Sequence, residues 1–451
     1  MGFEGQIAAL GGKSGVKAGH AIIIGASTTG LIAAAALSRH FGRVTVLERD
    51  VLPAEPEWRK GVPQSRHVHL LLSRGESVVD HYFPGLADEL AKSGARRIDM
   101  AGDTKWYYAG GWKTRFTSGV AMHCQSKGFL EWSLRQQVIA LGNVEVRDRA
   151  EVTEFLCEDD AITGVRLRDG GDLPGDFVVD AGGRNSRTPA RLAELGFGDV
   201  ELSELPVDVG YATRMFKAPP GPRDWQSIII HPRYPDARLG ILIPIEGDRW
   251  LLTLVGWRGD HPPADEAGFL AFAKSLAVPD IYDAVVDAEP LNSIGLHRFP
   301  GNLRRHYERL GTMPEGLVVI GDASCSFNPI YGQGMSHGAM AAHILDGCLS
   351  ARDGASLAGV AAEFQKQYAK FSDSCWFIST TEEYRDPTVS KKRPVWAGLA
   401  NWYLDQIHEL TWTDPKAAMR FLEVMHLLRP PRILLEPALA TRAIAHGLLA
   451  R

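Results

Sequence analysis

Apolar positions along this chain fall into short blocks whose spacing switches repeatedly between strand and helix periods. Residues 21–24 are a fully apolar run, 31–40 an Ala/Leu-rich block of helical length, and 44–48 a second apolar run ending in Glu48. The predicted unit is strand, helix, strand, with Gly25-Ala26-Ser27-Thr28-Thr29-Gly30 as its first turn. Residues 73–95 predict a helix interrupted at Pro84-Gly85, and 106–116 carry two aromatic runs around Gly110-Gly111, a hairpin signal. Residues 127–141 place Phe129, Leu130, Leu134, Val138 and Leu141 on one side of a helix. Short strands follow at 144–147, 152–157, 161–167 and 177–180. Between 207 and 255 the runs 209–216, 227–231, 239–243 and 250–255 are separated by Pro- and Gly-rich turns, as in an antiparallel sheet. Helices are predicted at 265–276 and 279–286, a strand at 291–298, and another apolar run at 317–320. From 357 onward the pattern is helical, with breaks near Asp386-Pro387, Asp414-Pro415 and Pro430-Pro431, and no repeat or low-complexity tract appears.

Composition narrows the class. A chain of 451 residues exceeds a single core and implies two or three domains. With 45% hydrophobic and 23% charged residues it reads as an ordinary globular protein, and a net charge of -5 gives no reason to expect nucleic acid. The apolar runs are far shorter than a membrane span, and residues 1–20 lack the continuous apolar core of a signal peptide, so the expected location is cytoplasmic. The five cysteines, Cys124, Cys157, Cys325, Cys348 and Cys375, are scattered without a CxxC, against both a disulfide framework and a zinc site.

Three glycine turns, each after an apolar run, carry the candidate chemistry. In the first, Gly25 and Gly30 stand where a dinucleotide fingerprint receives a pyrophosphate, and Glu48, 18 residues after Gly30, can take ribose hydroxyls. Ser27 replaces the middle glycine; it loosens backbone approach, but its hydroxyl can itself donate to phosphate. The alternative, a GxSxG nucleophile elbow, fails because its fifth position is Thr29. The second turn is Ala181-Gly182-Gly183-Arg184. The third runs from Gly321-Asp322 to Pro329 and then Gly332-Gln333-Gly334, which opens a helix of Ala, Met and His. There a carboxylate and the positive end of a helix can meet an anionic or flat ligand, although Gly-Asp after a strand is also an ordinary turn. Residues 59–69 are polar and rich in donors, and read better as a cofactor-covering loop than as a His67-x-His69 metal pair; no metal is expected.

The order of these pieces, strand–helix–strand with Glu48, then VVDAGGRNSRT, then VVIGDASCSFNPIYGQGM, resembles the FAD-dependent monooxygenases with the p-hydroxybenzoate hydroxylase fold. Within them, RKGVPQSRHVHLLL, GYATRMFKAP and EGLVVIGDASCSFNPIYGQGMS look closest to the squalene-epoxidase-like bacterial epoxidases of polyene precursors. The resemblance covers roughly residues 20–350. It implies an α/β architecture: a glutathione-reductase-type Rossmann FAD domain (20–105 with 126–205 and 300–350), an inserted antiparallel β-sheet substrate domain (106–125 with 206–299), and a C-terminal helical region (351–451). It also implies that Glu48 binds the AMP ribose, residues 25–30 the pyrophosphate, and Asp322 the ribityl chain or pyrophosphate. Lys127 would replace the Arg that usually reaches the cofactor, and Pro329, Gly332, Gly334 and Met335 would flank the isoalloxazine. Arg49, Arg59 and Gly183 complete the cofactor candidates. Two departures stand out: Gly182-Gly183 where the family commonly has Asp-Gly, and Cys325 where a His is usual.

The activity so implied is oxygen transfer by a flavin C4a-hydroperoxide, epoxidising or hydroxylating a lipophilic, electron-rich natural-product intermediate. No catalytic side chain is expected, since the cofactor carries the hard step while the protein docks the substrate and excludes water. Trp106, Tyr108, Tyr211, Arg214, Met215, Phe216, Ile228, Ile230, Ile241, Ile243 and Leu254 are the pocket candidates, though alternate strand residues can equally form a domain core. Arg214 can anchor a substrate carboxylate or pair with a structural acid. The partners expected are a small-molecule substrate, free or carrier-tethered, and a separate flavin reductase delivering electrons from NAD(P)H, because no second nucleotide fingerprint is visible. A reductase of isoprenoid double bonds is the alternative, against which stands the missing YxWxFP-type motif. A halogenase lacks its WxWxIP here, and a non-catalytic FAD-binding or carrier-docking module is the alternative outside catalysis.

Overall fold

The computed structural model describes residues 19–59, 61–352, 356–386, 389 and 393–449. The signal-peptide reading of the N-terminus, Lys60 of the polar segment and Pro387 of one predicted helix break fall outside these residues, the first of them all but for residues 19 and 20.

Strands β1 (His20–Ile24), β2 (Arg43–Leu47), β7 (Val144–Arg147), β11 (Phe177–Asp180) and β17 (Leu317–Val319) form a five-stranded parallel sheet ordered β17-β11-β1-β2-β7. Parallel strands require crossovers, and burial on both faces explains why β1, β11 and β17 are near-continuous apolar runs. Helix α1 (Thr28–Leu37) is buried almost all round between this sheet and α8 (Gln333–Ser350). Its alanines permit the close approach: a side chain at Gly338 of α8 would begin 2.0 Å from Thr29 Oγ1. Helices α2 (Ser73–Tyr82), α3 (Leu86–Lys92) and α4 (Lys127–Ile139) pack on the same core, α2 and α3 divided at the expected Pro84-Gly85. A three-stranded flap, β8 (Val152–Glu158), β9 (Ala161–Leu167) and β10 (Asp172–Pro174), precedes β11; α5 (Thr188–Glu194) follows it.

The second sheet has eight strands: β4 (Thr104–Tyr108), β5 (Gly111–Trp112), β12 (Leu202–Lys217), β13 (Ser227–Ile230), β14 (Arg238–Ile245), β15 (Arg249–Trp257), β16 (Gly295–Arg305) and β18 (Cys325–Ser326). It is antiparallel except where β13 meets β4, an earlier segment that enters alongside it in the same direction. Two more strands, β3 (Arg96–Asp99) and β6 (Ala121–Cys124), pair beside it. Strands β12 and β16 run past the predicted limits at 209 and 298, across Pro206 and Pro300-Gly301, residue types that ordinarily interrupt a strand. In the fold Pro206 stands opposite Gly301 at a register shift, so both interruptions share one bulge and the pair continues past it. The sheet thereby takes in residues outside the 106–125 and 206–299 division.

Helices α6 (Glu266–Lys274) and α7 (Asp280–Val285) cover one face of this sheet, together with Phe216, Ile228, Ile230, Leu242 and Leu254. The other face, carrying Trp106, Tyr108, Tyr211, Ile229, Ile241 and Ile243, turns toward the C-terminal helices α9 (Val360–Glu383), α10 (Ala397–Leu410), α11 (Pro415–Met425) and α12 (Pro437–Leu449). No helix among the described residues is long and apolar enough to cross a membrane.

Candidate active site

The first glycine turn is built as its sequence demands. Gly25 takes φ +104° and donates its N–H to Leu47 O at 2.7 Å, tying β1 to β2. A Cβ on Gly30 would sit 1.9 Å from Gly25 O, so α1 can start this close to the turn only with glycine. Glu48 is buried at the end of β2; its carboxylate accepts from Ala26 N at 3.0 Å and Asp50 N at 3.1 Å.

Around this turn lies a buried charge cluster. Lys127, the first residue of α4, donates to Glu131 Oε2 at 2.7 Å and to Ser27 Oγ at 3.0 Å. Ser27 spends its own proton on Glu131 Oε2, at 2.6 Å, which corrects the expectation of a hydroxyl turned to phosphate. Arg59 reaches in from the polar segment, its Nε 2.7 Å from Glu131 and its Nη1 2.8 Å from Glu48, close as ion pairs but off the in-plane hydrogen-bond direction. Burial by itself would raise the Glu131 carboxyl, yet Lys127 and Arg59 outweigh it and hold the group down at about 2. Glu131 does not stand out in a sequence read for fingerprints; its i,i+4 spacing from Lys127 was the available signal. Arg49 instead lies at the surface, 3.7 Å from Asp50.

The second turn is organised by Asp180, which accepts from Gly182 N at 2.8 Å and Thr188 Oγ1 at 2.6 Å and also from Ser186 Oγ. Gly183 takes φ +78° with open space on its Cβ side.

In the third turn, Gly321 N–H donates to Tyr368 Oη of α9 at 3.1 Å, and the same hydroxyl lies 2.8 Å from His337 Nδ1. Asp322 makes no hydrogen bond or ion pair among the described residues. Burial raises its carboxyl, with Arg184, Lys127 and Arg305 pulling the other way. Its Oδ1 lies 3.6 Å from where a side chain on Gly334 would begin, at the first turn of α8. Pro329 opens a single 3-10 turn, Pro329–Tyr331, capped by Asn328, and Gly332 at φ +65° is the N-cap of α8. Met335 points to α1, its Sδ 3.9 Å from Thr28 Oγ1. Cys325 is fully buried and its thiol is pushed well up by that burial, an unreactive packing residue. His67 bonds Thr213 Oγ1 through Nδ1 at 2.7 Å and burial pushes it down to about 3, so it is a neutral structural ring. The described residues hold no cluster of three or more metal-ligating side chains.

These features fit a dinucleotide. The first glycine turn has no room for side chains, an acidic oxygen at a helix start lacks a partner among the described residues, and Ser65 Oγ, His67 Nε2, Gln125 Oε1 and Gln333 Nε2 are buried without partners.

Beside the third turn lie two adjoining cavities. One, of about 700 Å³, is bounded by the sheet through Trp106, Tyr108, Ile229 and Ile241, and by the C-terminal helices through residues such as Phe377 and Phe421; Leu70 and Gly332 close its third side. The other, of about 1110 Å³, is rimmed with arginines and acids, and the two share Tyr108, His231, Ile330, Tyr331 and Glu382. Of the pocket candidates, Trp106, Tyr108 and Ile241 line the apolar cavity. Tyr211 and Ile243 lie on the same face without lining it. Phe216, Ile228, Ile230 and Leu254 are corrected to the opposite face, under α6 and α7, because residues of even and odd number alternate across the sheet. Arg214 goes with them: it pairs with Glu266 at 3.2 Å and donates to Asn292 O at 3.0 Å, a structural ion pair rather than a substrate anchor. The helical roof of the cavity, from Phe377, Trp396, His408 and Phe421, was not anticipated.

Comparison with known proteins agrees with this geometry. The FAD binding domain family model matches residues 19–352. The protein Rv3254 of Mycobacterium tuberculosis (strain ATCC 25618 / H37Rv) is 32% identical over 458 residues, covering 97% of this chain and 95% of its own. Among solved structures, PqsL, a probable FAD-dependent monooxygenase from Pseudomonas aeruginosa, has a TM-score of 0.63 at 21% identity over 85% of this chain and 100% of its own. The flavin-dependent brominase Bmp2 has a TM-score of 0.68 at 14% identity over 96% of this chain and 100% of its own. At such identities these structures speak for the fold alone. A family match across most of the chain, on a fold with the turns of a dinucleotide site, makes this protein a member of the FAD binding domain family, with a p-hydroxybenzoate hydroxylase-like fold.

Proposed function

We propose that this protein is an FAD-dependent monooxygenase acting on a lipophilic, electron-rich small molecule, by epoxidation or hydroxylation. The observation that carries the reading is the apolar cavity of about 700 Å³ that reaches Gly332, beside the turn assigned to the isoalloxazine. Bound and reduced, FAD supplies the activation of O2 and the transfer of one oxygen atom. The chain holds the cofactor and keeps water from the site. The turn of residues 25–30 and the start of α1 receive the pyrophosphate, with Lys127 and Arg59 supplying positive charge. Glu48 and Asp322 receive hydroxyls of the ribose and the ribityl chain, and the N-cap at Gly332 lets the ring system approach the backbone of α8. Trp106, Tyr108, Ile229 and Ile241 hold the substrate by apolar contact, and the roof of α9 to α11 excludes water.

Labelling tests the reaction: with 18-O2, one labelled oxygen enters the product, and label arriving only from water, or a product that is merely reduced, removes the monooxygenase reading. Electrons come, in this proposal, from NAD(P)H through a separate flavin reductase, supported by the absence of a second nucleotide fingerprint and by Gly182 in place of the family's Asp.

A further inference from the structure

Glu383, the last residue of α9, is a buried carboxyl with no cation paired to it among the described residues. Its Oε1 accepts from Asn328 Nδ2 at 2.6 Å and from Tyr331 Oη at 3.3 Å. Asn328 is fully buried: its N–H donates to Asn302 Oδ1 at 2.7 Å, and its own Oδ1 accepts from Tyr211 Oη at 2.7 Å and Ile330 N at 3.3 Å. One hydrogen-bonded chain therefore joins β12, the turn before Gly332, and the end of α9. Glu383 Oε2 has no partner among the described residues, and Glu383 lines the charged cavity.

The described cations around it are committed elsewhere. Arg385 lies 2.7 Å from Glu382 and 2.8 Å from Asp405; Arg258 is 3.4 Å from Asp386, Arg298 3.6 Å from Asp208, and Arg233 3.2 Å from Glu409. Of the other groups on this wall, His231 is pushed down to about 4 by burial and stays neutral, Tyr108 donates to Glu382 at 3.4 Å, and Asp236 is exposed. Glu383 also sits at the negative end of a helix, between Glu382 and Asp386. A buried carboxylate in these surroundings takes a proton. Burial pushes it up to about 7, against the hydrogen bonds from Asn328 and Tyr331 and with the help of Glu382 and Asp386.

We propose that Glu383 is the proton-relay residue of the oxidation site, exchanging a proton between the charged cavity, which it lines, and the ligand beside the Asn328–Gly332 turn by way of Tyr331, which lines both cavities. The inference rests on the flavin reading above. In the step, the O–H bond of Glu383 breaks and its proton passes to Tyr331 Oη as the Tyr331 proton passes to a ligand oxygen, and the electron pair of the Glu383 bond stays on the carboxylate. A proton from cavity water then restores the acid, so no oxidant or reductant is consumed.

The FAD-loaded full chain and its Glu383→Gln variant decide the matter. After photoreduction, reoxidation of the flavin by O2 is followed by stopped flow from pH 6 to 8. The expected rate changes about tenfold across that range in the unmodified chain and stays within about twofold in the variant. The same profile in both, or a flat profile in the unmodified chain, overturns the proposal. Infrared spectra of the unmodified chain labelled with carboxyl-13C glutamate read the same group without any variant. A protonated glutamate band that titrates near neutrality supports the assignment, and its absence at pH 6 sinks it. A chain that binds no FAD removes the flavin reading and this inference together, whereas FAD bound with a flat profile removes the proton role alone.

Discussion

Asp322 and Glu131 are buried carboxyls whose surroundings push them in opposite directions, the first up by burial and the second down by Lys127 and Arg59. Asp322 has no hydrogen-bond or ion-pair partner among the described residues, so Asp322→Ala should leave the fold intact and weaken FAD by a charge-assisted bond, about 1.5–3 kcal/mol or roughly 10- to 150-fold. Flavin fluorescence titration measures this, and unchanged affinity would mean that the third turn is not a cofactor contact. Glu131 balances two buried cations, and Glu131→Gln leaves Lys127 and Arg59 without that counter-charge, a cost of about 3–5 kcal/mol. The pH dependence follows in sign. Since the folded carboxyl is depressed to about 2, its contribution is complete above the unfolded value near 4.5 and disappears as pH falls from there toward 2. Urea denaturation at pH 7, 5 and 3 should show the variant's deficit shrinking at the lowest pH.

Strand parity separates the two faces of the eight-stranded sheet more sharply than residue type does. Ile241 and Leu242 are adjacent, buried and both aliphatic, yet one lines the cavity and the other packs under α6 and α7. Leu242→Ala should cost about 2–5 kcal/mol of stability and leave flavin content unchanged. Ile241→Phe adds bulk beside open space, so it should cost less than about 1.5 kcal/mol while narrowing what the cavity admits. Thermal melts with flavin quantitation check the pair; equal destabilisation by both would mean that the cavity is closed in solution. Helix α9 works at two points along its length, bracing Gly321 through Tyr368 and presenting Glu383 to Asn328 at its end.

The whole molecule joins a Rossmann unit, a sheet and a helical roof at one place, and its electron supply is a property of that assembly. Anaerobic stopped-flow mixing of the oxidised holoprotein with NADPH, then NADH, should give no fast bleaching of the flavin, and a flavin reductase added in catalytic amount should restore it. Fast bleaching by either nucleotide alone would make the protein self-sufficient. The roof also bears on substrate choice. Phe377, Trp396 and Leu399 of the C-terminal region line the apolar cavity while remaining exposed.

Short-range chemistry was readable from the chain. A strand ending in glycine, an acid at the end of the next strand and a glycine pair at a helix start act within a few residues; steric exclusion at Gly25 and Gly30 and the left-handed φ of Gly332 leave little else possible there. The α/β class and the order of the elements follow from the same local periods. Long-range pairing was not readable. Pro206 and Gly301 look like two strand ends until they meet in one bulge. Phe216 and Ile228 look like pocket residues until register assigns them to the covered face. Ser27, Arg59 and Glu131 come from three segments 32 to 104 residues apart, and only their burial together makes one ion cluster. Glu383 lies in a helical tail with no motif, and its character depends on which cations its neighbours have already taken. Local sequence constrains backbone shape, whereas partnership and burial belong to chains that meet in space, and a carboxyl's charge follows the second.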